Sequence, residues 1–556
     1  MSSKPVRTNL SLETLEDRAV PALIAVTYNV ETGTDAQFII SGDDQDNEVT
    51  VQTDVAENGD YFVLVSSDTD FVFNTNTGEL DTILAFKIPA GATPEMLIQM
   101  SKGEDSVTVS PLLPGTDGDL PGDLTINGQG QDDTILVENT DVGGTLTITG
   151  NGGSDDVTVI GGSDNGVEGD VDIKTNGGND TVTLTDLEVD GDLDVDASKG
   201  NDDVSLVGVD VGGDTSIDTG AKNGSDNDDV TISDSTFDGD LTVDTAVNDG
   251  NDDGPDTDTV TIGSTFVGGD VHIKTGEKND TVDISDTEIY GSLTINTTSG
   301  NGDQADTVVL TNVDLSDPPG NNPPMVGGLT ITTGNGDDIV DISDFTMDTG
   351  AAEITTGNDD DTVVLDQFVV NTARFGKMGQ TKVNTGNGDD FVDVDDSRFT
   401  GDARFITGSG DDDLNVEASY FAKKLIANVK SSNLGDIVTL IDNVIDDLLK
   451  VLAQGDGNEF VDLFGNTVGG EALIKTGDGS DYVRLGTFGS PSTGNTFLQG
   501  ITVDMGTNDG GNDFIEYFFN DFVGPGFAFG VVDGGDFGGF NTGGGLSIEF
   551  DLPGGE

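Results

Sequence analysis

The chain has 556 residues, with 106 acidic against 21 basic side chains and a formal net charge of -85. A field of that sign repels nucleic acid and anionic membrane surfaces, and it leaves cations or a basic polymer as the natural partners. The absence of cysteine excludes disulfides and thiolate-held zinc or iron–sulfur centres. Residues 1–22 read as a leader: Lys4 and Arg7 precede an acidic stretch and then a short apolar run. That order fits an ordinary secretory signal poorly. No apolar run approaches the length of a membrane-spanning helix.

Low apolar content (33%) with high charge is also a signature of disorder. Here, however, valine, isoleucine, leucine and phenylalanine alternate with polar residues, which is a strand pattern. Residues 23–104 read as an irregular N-terminal cap. "FIISGDDQDNEVTV" (38–51) and "LIQMSKGEDSVTV" (97–109) resemble coils, with a hairpin excursion around "NGDYFVLVSSDTDFVF" between them. A cap of this kind hides the terminal edge of an open solenoid.

Residues 105–513 repeat. An acidic residue two positions before an apolar residue recurs from Asp105 to Asp513. Five of the gaps (133 to 155, 180 to 202, 258 to 280, 390 to 412, 459 to 481) are 22 residues. From Asp180 the apolar positions run Val182 and Leu184, Leu187 and Val189, then Leu193 and Val195. Members of each pair lie two apart and point to one side of a short strand. Three pairs per 22 residues predict an all-β, right-handed parallel β-helix with three short strands per coil. A β-sandwich array is the competing fold, but its hairpins do not suit so uniform a period. "LGDIVTLIDNVIDDLLKVLAQG" (434–455) has apolar residues at helical spacing, yet it keeps the solenoid register and is expected to be a coil. The Gly- and Phe-rich stretch 514–556 reads as a C-terminal cap or tail, with a binding or assembly segment as the alternative.

Corner glycines permit left-handed torsions, and aspartates beside them accept backbone amides. This accounts for one aspartate per corner, but many are doubled: Asp132/Asp133, Asp155/Asp156, Asp202/Asp203, Asp228/Asp229, Asp337/Asp338, Asp360/Asp361, Asp389/Asp390 and Asp412/Asp413. Equivalent carboxylates in stacked coils lie ~4.8 Å apart. They repel by about 1 kcal/mol in bulk water, and by roughly 3 to 4 at an effective dielectric of 20. These residues, with Asp180, Asp280 and Asp481, are therefore candidate ligands for a hard, oxygen-seeking cation such as calcium.

"GNGDDIVDI", "GNGDDFVDV" and "GSGDDDLNV" resemble the glycine- and aspartate-rich nonapeptide of RTX calcium β-rolls. The resemblance implies bound calcium, although here one such corner occurs per coil rather than every nine residues. "LSLETLEDRAVPA" (10–22) resembles the L-E-x-L-E-D-R motif near the N-terminus of large exported planctomycete proteins, through Leu12, Glu13, Leu15, Glu16, Asp17 and Arg18. That resemblance implies a secreted or cell-surface protein.

β-Helices also host polysaccharide lyases and hydrolases, which need one carboxylate set distinct from the rest. Repetition of the aspartates argues against a single catalytic site. His272 is the only histidine and is expected on the surface between Val271 and Ile273. Arg374, Lys377, Lys382, Arg398, Arg404, Lys423, Lys424 and Lys430 cluster beside the insertion 366–380. Arg398, Arg404, Lys423 and Lys424 either compensate neighbouring acid or form a patch facing an acidic polysaccharide or another copy. The expectation is a non-enzymatic, acidic, extracellular solenoid with a structural or adhesive role, stiffened by calcium. The alternative is a polysaccharide-active enzyme with its groove near residues 366–430.

Overall fold

Valine, isoleucine and threonine alternate along short segments and form strands whose apolar side chains all point one way. The computed structural model describes residues 22–540 apart from short stretches, the longest being 247–256 and 317–326. The described residues are all-β, without a helix, and wind into a parallel β-solenoid. After Asp180 come strands Thr181–Thr185, Glu188–Val189 and Leu193–Asp196. Each pairs in parallel with the next coil: Asp203–Val207, Asp210–Val211 and Thr215–Asp218. Val182 lies over Val204 and Leu184 over Leu206, so apolar residues stack on apolar residues along the axis. One core results, continuous from Ile24 to Ile515.

The stretch open to a helical reading follows the solenoid. It forms strands Ile437–Ile441, Val444–Ile445 and Leu449–Gly455. At the N-terminal end, Glu48–Val55 pairs in parallel with Ser106–Pro111 on one side and antiparallel with Tyr61–Ser66 on the other. The hairpin excursion thus covers the edge strand. Beyond Asp513 the parallel pairing continues, because Phe514–Phe518 lies between Tyr482–Leu485 and Asp536–Phe540. The LEDR-type leader, Arg374, Lys377, Lys430 and residues 372–378 of the 366–380 insertion lie outside the described residues.

Corners carry columns of their own. After the first strand a residue turns left-handed, as at Asp186 (φ 49), Asp344 (φ 53) and Asp442 (φ 54). Next comes a buried residue, apolar at Leu187 and Phe345 but Ser, Thr or Asn at Ser235, Thr265 and Asn443. Asn443, Asn466, Asn495 and Asn520 stack there, each accepting the amide of the residue below and donating Nδ2 to a strand carbonyl: Val416, Leu440, Leu463 and Leu485. Beneath them Phe345, Phe368, Phe399 and Phe421 stack with centroids 5.0, 5.9 and 4.9 Å apart. At another corner, Gly334, Gly357, Gly386 and Gly408 form a row with φ between 96 and 120. A Cβ on Gly357 would lie 1.6 Å from the Gly334 carbonyl oxygen. Gly357→Ala is expected to cost roughly 2–4 kcal/mol by urea denaturation, since both torsion and space oppose it. An unchanged midpoint would contradict this close stacking.

Candidate functional site

Alternation splits each aspartate pair. A residue two before an inward valine shares its side of the strand, so it too points inward. Asp133, Asp155, Asp180, Asp202, Asp228, Asp280, Asp338, Asp361, Asp390, Asp412 and Asp481 are all buried, at 2% exposure or less. Their doublet partners point out to solvent. Asp132, Asp337, Asp360 and Asp389 lie on the preceding turn, while Asp156, Asp203, Asp229 and Asp413 begin the first strand.

The inner row is a ladder. The amide of Asp133 donates to Asp155 Oδ1 (2.9 Å), that of Asp155 to Asp180 (2.8 Å), and that of Asp180 to Asp202 (2.8 Å). The same bond joins Asp306 to Asp338 across 32 residues and Asp361 to Asp390 across 29. Where threonine stands five residues ahead, its hydroxyl reaches the second oxygen. Thr333, Thr356, Thr385 and Thr407 donate to Asp338, Asp361, Asp390 and Asp412 at 2.5–2.6 Å. Each of the first three hydroxyls also lies 3.2–3.4 Å from the carbonyl of the next threonine in the column. An ionised carboxylate therefore receives the hydroxyl proton. A protonated one donates its own proton to the hydroxyl, which turns to the carbonyl. The geometry serves both states. In the earliest coils glycine replaces the threonine, and Asp133 Oδ2 and Asp155 Oδ2 have no hydrogen-bond partner among the described residues.

Burial dominates the acidities. It raises Asp105 and Asp155 to about 6 and Asp133 to about 7, partly offset by the donated amides. Asp306 and Asp361 rise to about 8, and Asp338, Asp390 and Asp412 to about 6, against threonine and amide bonds that lower them. Asp258 and Glu459 are also pushed up by burial. The stacked carboxylates thus meet two sources of relief that the repulsion argument omitted, amide donors and retained protons.

For a metal, the inner oxygens are poorly disposed. One oxygen of each is held by an amide, and the two members of each doublet face opposite ways. Among the described residues no group of three or more His, Cys, Asp or Glu side chains is arranged to hold a metal ion. The outer row has its own ladder: Asp360, Asp389 and Asp411 donate amides to Asp337, Asp360 and Asp389. Each outer carboxylate keeps its exposure.

A third row is inconspicuous in the sequence. At the corner before the third strand, Asp192, Asp214, Asp240 and Asp270 donate their amides to Asp170, Asp192, Asp214 and Asp240. "GDVDI", "GDLDV", "GDLTV" and "GDVHI" carry its signal, an aspartate one residue before an inward apolar position.

The basic candidates are partly brought together. Lys382 and Arg404 stand side by side on adjacent third strands, with Lys382 ion-paired to Glu353 (2.7 Å). Lys423 and Lys424 occupy the corner preceding Leu425–Val429. Arg398 sits on the second strand with its guanidinium 4.7 Å from the Tyr420 ring centroid. His272 is exposed, as its position between two inward residues requires. Farther along, Phe460, Tyr482 and Phe514 stack on the outside with centroids 4.7 and 5.5 Å apart.

No protein-family model and no curated protein matches the chain. No helix among the described residues is long and apolar enough to cross a membrane. Fold and rows together define a class: an acidic parallel β-solenoid whose carboxylates are ordered into inner and outer columns.

Proposed function

We propose that this protein is a non-enzymatic, extracellular scaffold with a structural or adhesive role at the cell surface. The observation that carries the reading is the inner ladder. The most abundant chemically active side chain is used, coil after coil, to tie one turn to the next. A catalytic carboxylate stands apart from its neighbours in environment, whereas here burial and the amide bond recur together from coil to coil. The leader's resemblance to exported proteins supports the location. Incubation with acidic and neutral polysaccharides tests the reading directly: turnover, seen as new reducing ends or unsaturated products, would overturn it.

The scaffold reading includes calcium, for which the exposed outer row leaves carboxylate oxygens open while the ladder engages its own with amides. Removing divalent cations with a chelator at low salt is expected to lower the thermal midpoint by a few degrees, because outer carboxylates then repel across ~4.8 Å. Sodium chloride at about 0.5 M should recover most of the loss by screening. A midpoint indifferent to chelator would remove calcium from the reading.

A further inference from the structure

One face of the rod changes sign along its length. It comprises the third strands and the corner before them. In its first part the corner presents Asp170, Asp192, Asp214 and Asp240, all exposed. The adjoining strands add Asp172, Asp194 and Asp218 at outward positions. Lys174 and Lys274 lie at the edges of this block, each paired to an aspartate (Asp172 at 2.6 Å, Asp244 at 3.3 Å).

Farther along, the same positions carry the opposite charge. Outward on successive third strands stand Lys382, Arg404 and, after Ile426, Lys450, each in register with the next. Lys424 occupies the corner position that Asp192 and Asp214 hold earlier, with Lys423 beside it. Arg404, Lys423, Lys424 and Lys450 have no ion-pair partner among the described residues. The acids within this block are Glu353, Asp402 and, at the corner before Leu449, Asp446 and Asp447, so its five basic side chains exceed the acids by one. Between the two blocks the outward residues are small and polar: Thr294, Asn296, Thr330 and Thr332.

We propose that two copies pair antiparallel through this face, each acidic block lying on the partner's basic block. The centres of the blocks, near Thr215 and Ala403, are seven third strands apart, or roughly 34 Å at ~4.8 Å per coil. Turning one rod end over end brings both blocks into opposition at once, with the two-fold axis near Thr294 and Thr330. A parallel pair must slide by that same distance. It then satisfies one block on each rod and leaves the other bare, an open contact rather than a closed one. From Val171 to Leu449 the face is about 53 Å long and ~13 Å wide, roughly 700 Å² per partner, near the usual size of a specific interface. The basic block on so acidic a chain fits a second copy because that copy necessarily carries the complement.

Charge layout also sets the salt response. At ~10 mM salt the net charge of -85 keeps the rods apart. At ~0.15 M the screening length is ~8 Å, so facing residues dominate, and at ~1 M even these are screened. Dimerisation is therefore expected to peak at intermediate salt.

Sedimentation equilibrium of the whole chain at ~0.15 M salt and up to ~100 µM tests the pairing. The expected result is a dimer for the natural chain. Monomers are expected for Arg404→Glu with Lys424→Glu, and for Asp194→Lys with Asp218→Lys. The four changes combined should restore the dimer. If a reversed variant loses its β-sheet circular dichroism, Arg404→Gln with Lys424→Gln takes its place and should weaken association at least tenfold. The chain has no cysteine, so Thr330→Cys under an added oxidant reports geometry: near a two-fold axis two copies join through one disulfide, whereas a slid parallel pair does not. A natural chain that remains monomeric, a dimer indifferent to the charge changes, or a monomer that binds an acidic polysaccharide through the same basic block would overturn the proposal. The pairing deepens the scaffold reading, yet the two fail separately. A monomer sinks only the pairing, and polysaccharide turnover sinks only the scaffold.

Discussion

Acidification from about pH 8 to about pH 5 raises the thermal midpoint of this protein, by on the order of 10 °C. An aspartate in the unfolded chain ionises near 3.8. In the folded ladder Asp133 keeps its proton to about 7, and Asp306 and Asp361 to about 8, chiefly because they are buried. The folded state therefore binds more protons than the unfolded state across this window, so stability falls as pH rises. The ladder's contribution is complete below about pH 4, where both states are protonated, and it is lost as pH climbs through the folded values. Long-range repulsion among the remaining acidic residues acts in the same direction, but salt separates the two. Calorimetry at ~0.5 M salt suppresses the surface effect and leaves the buried one. A midpoint that is flat or rises with pH under those conditions would contradict a protonated ladder.

Replacing one rung distinguishes hydrogen bonding from charge. Asp361→Ala removes the acceptor for the Asp338 amide and for the Thr356 hydroxyl, both in buried surroundings. Such a loss costs about 2–4 kcal/mol at pH 5 by urea denaturation. Asp361→Asn keeps an oxygen for the amide. Its Nδ2 then donates to Thr356 Oγ1, whose proton turns to the Thr385 carbonyl 3.4 Å away. No charge is buried, so at pH 8 the asparagine variant is expected to match or exceed the natural chain. Asp338→Asn combined with Asp361→Asn should also flatten the pH dependence measurably. The column Asn443, Asn466, Asn495 and Asn520 already uses the amide side chain in this manner at another corner. Equal losses for alanine and asparagine would show that the rung contributes nothing by its oxygen.

Most of the architecture was legible in the sequence because it depends on a period. Val182, Leu184, Leu187, Val189, Leu193 and Val195 recur with little interruption, and a register of that kind survives insertion. It also decided the stretch from Leu434 to Gly455 against a helix, since Val438, Leu440, Ile445 and Leu449 fall on the inward positions of their neighbours. The roles of the aspartates were less legible. Asp337 and Asp338 look equivalent in the sequence, two adjacent carboxylates at one corner. Parity separates them, because Asp338 shares the side of Val340 and Asp337 does not. What the sequence withheld was the donor for the buried member: the amide of Asp306, 32 residues earlier, reaches Asp338 only when the coils stack. The asparagine column was hidden for a like reason. Its residues precede a two-residue strand too short to announce itself, and their partners lie a full coil away.

The ladder is blind to how far the chain travels between rungs. Asp133 and Asp155 are 22 residues apart, Asp228 and Asp258 30, and Asp306 and Asp338 32, yet the amide-to-carboxylate distance stays at 2.8–2.9 Å. Extra residues between two rungs leave the spacing of the rungs unchanged. A foreign peptide spliced between Ala246 and Thr257 should therefore leave Asp228 and Asp258 holding the coils at their usual spacing. Used this way the rod is a ruler. Cargo at two chosen corners would be separated by a whole number of coils, a distance selected by counting rungs rather than by designing a linker.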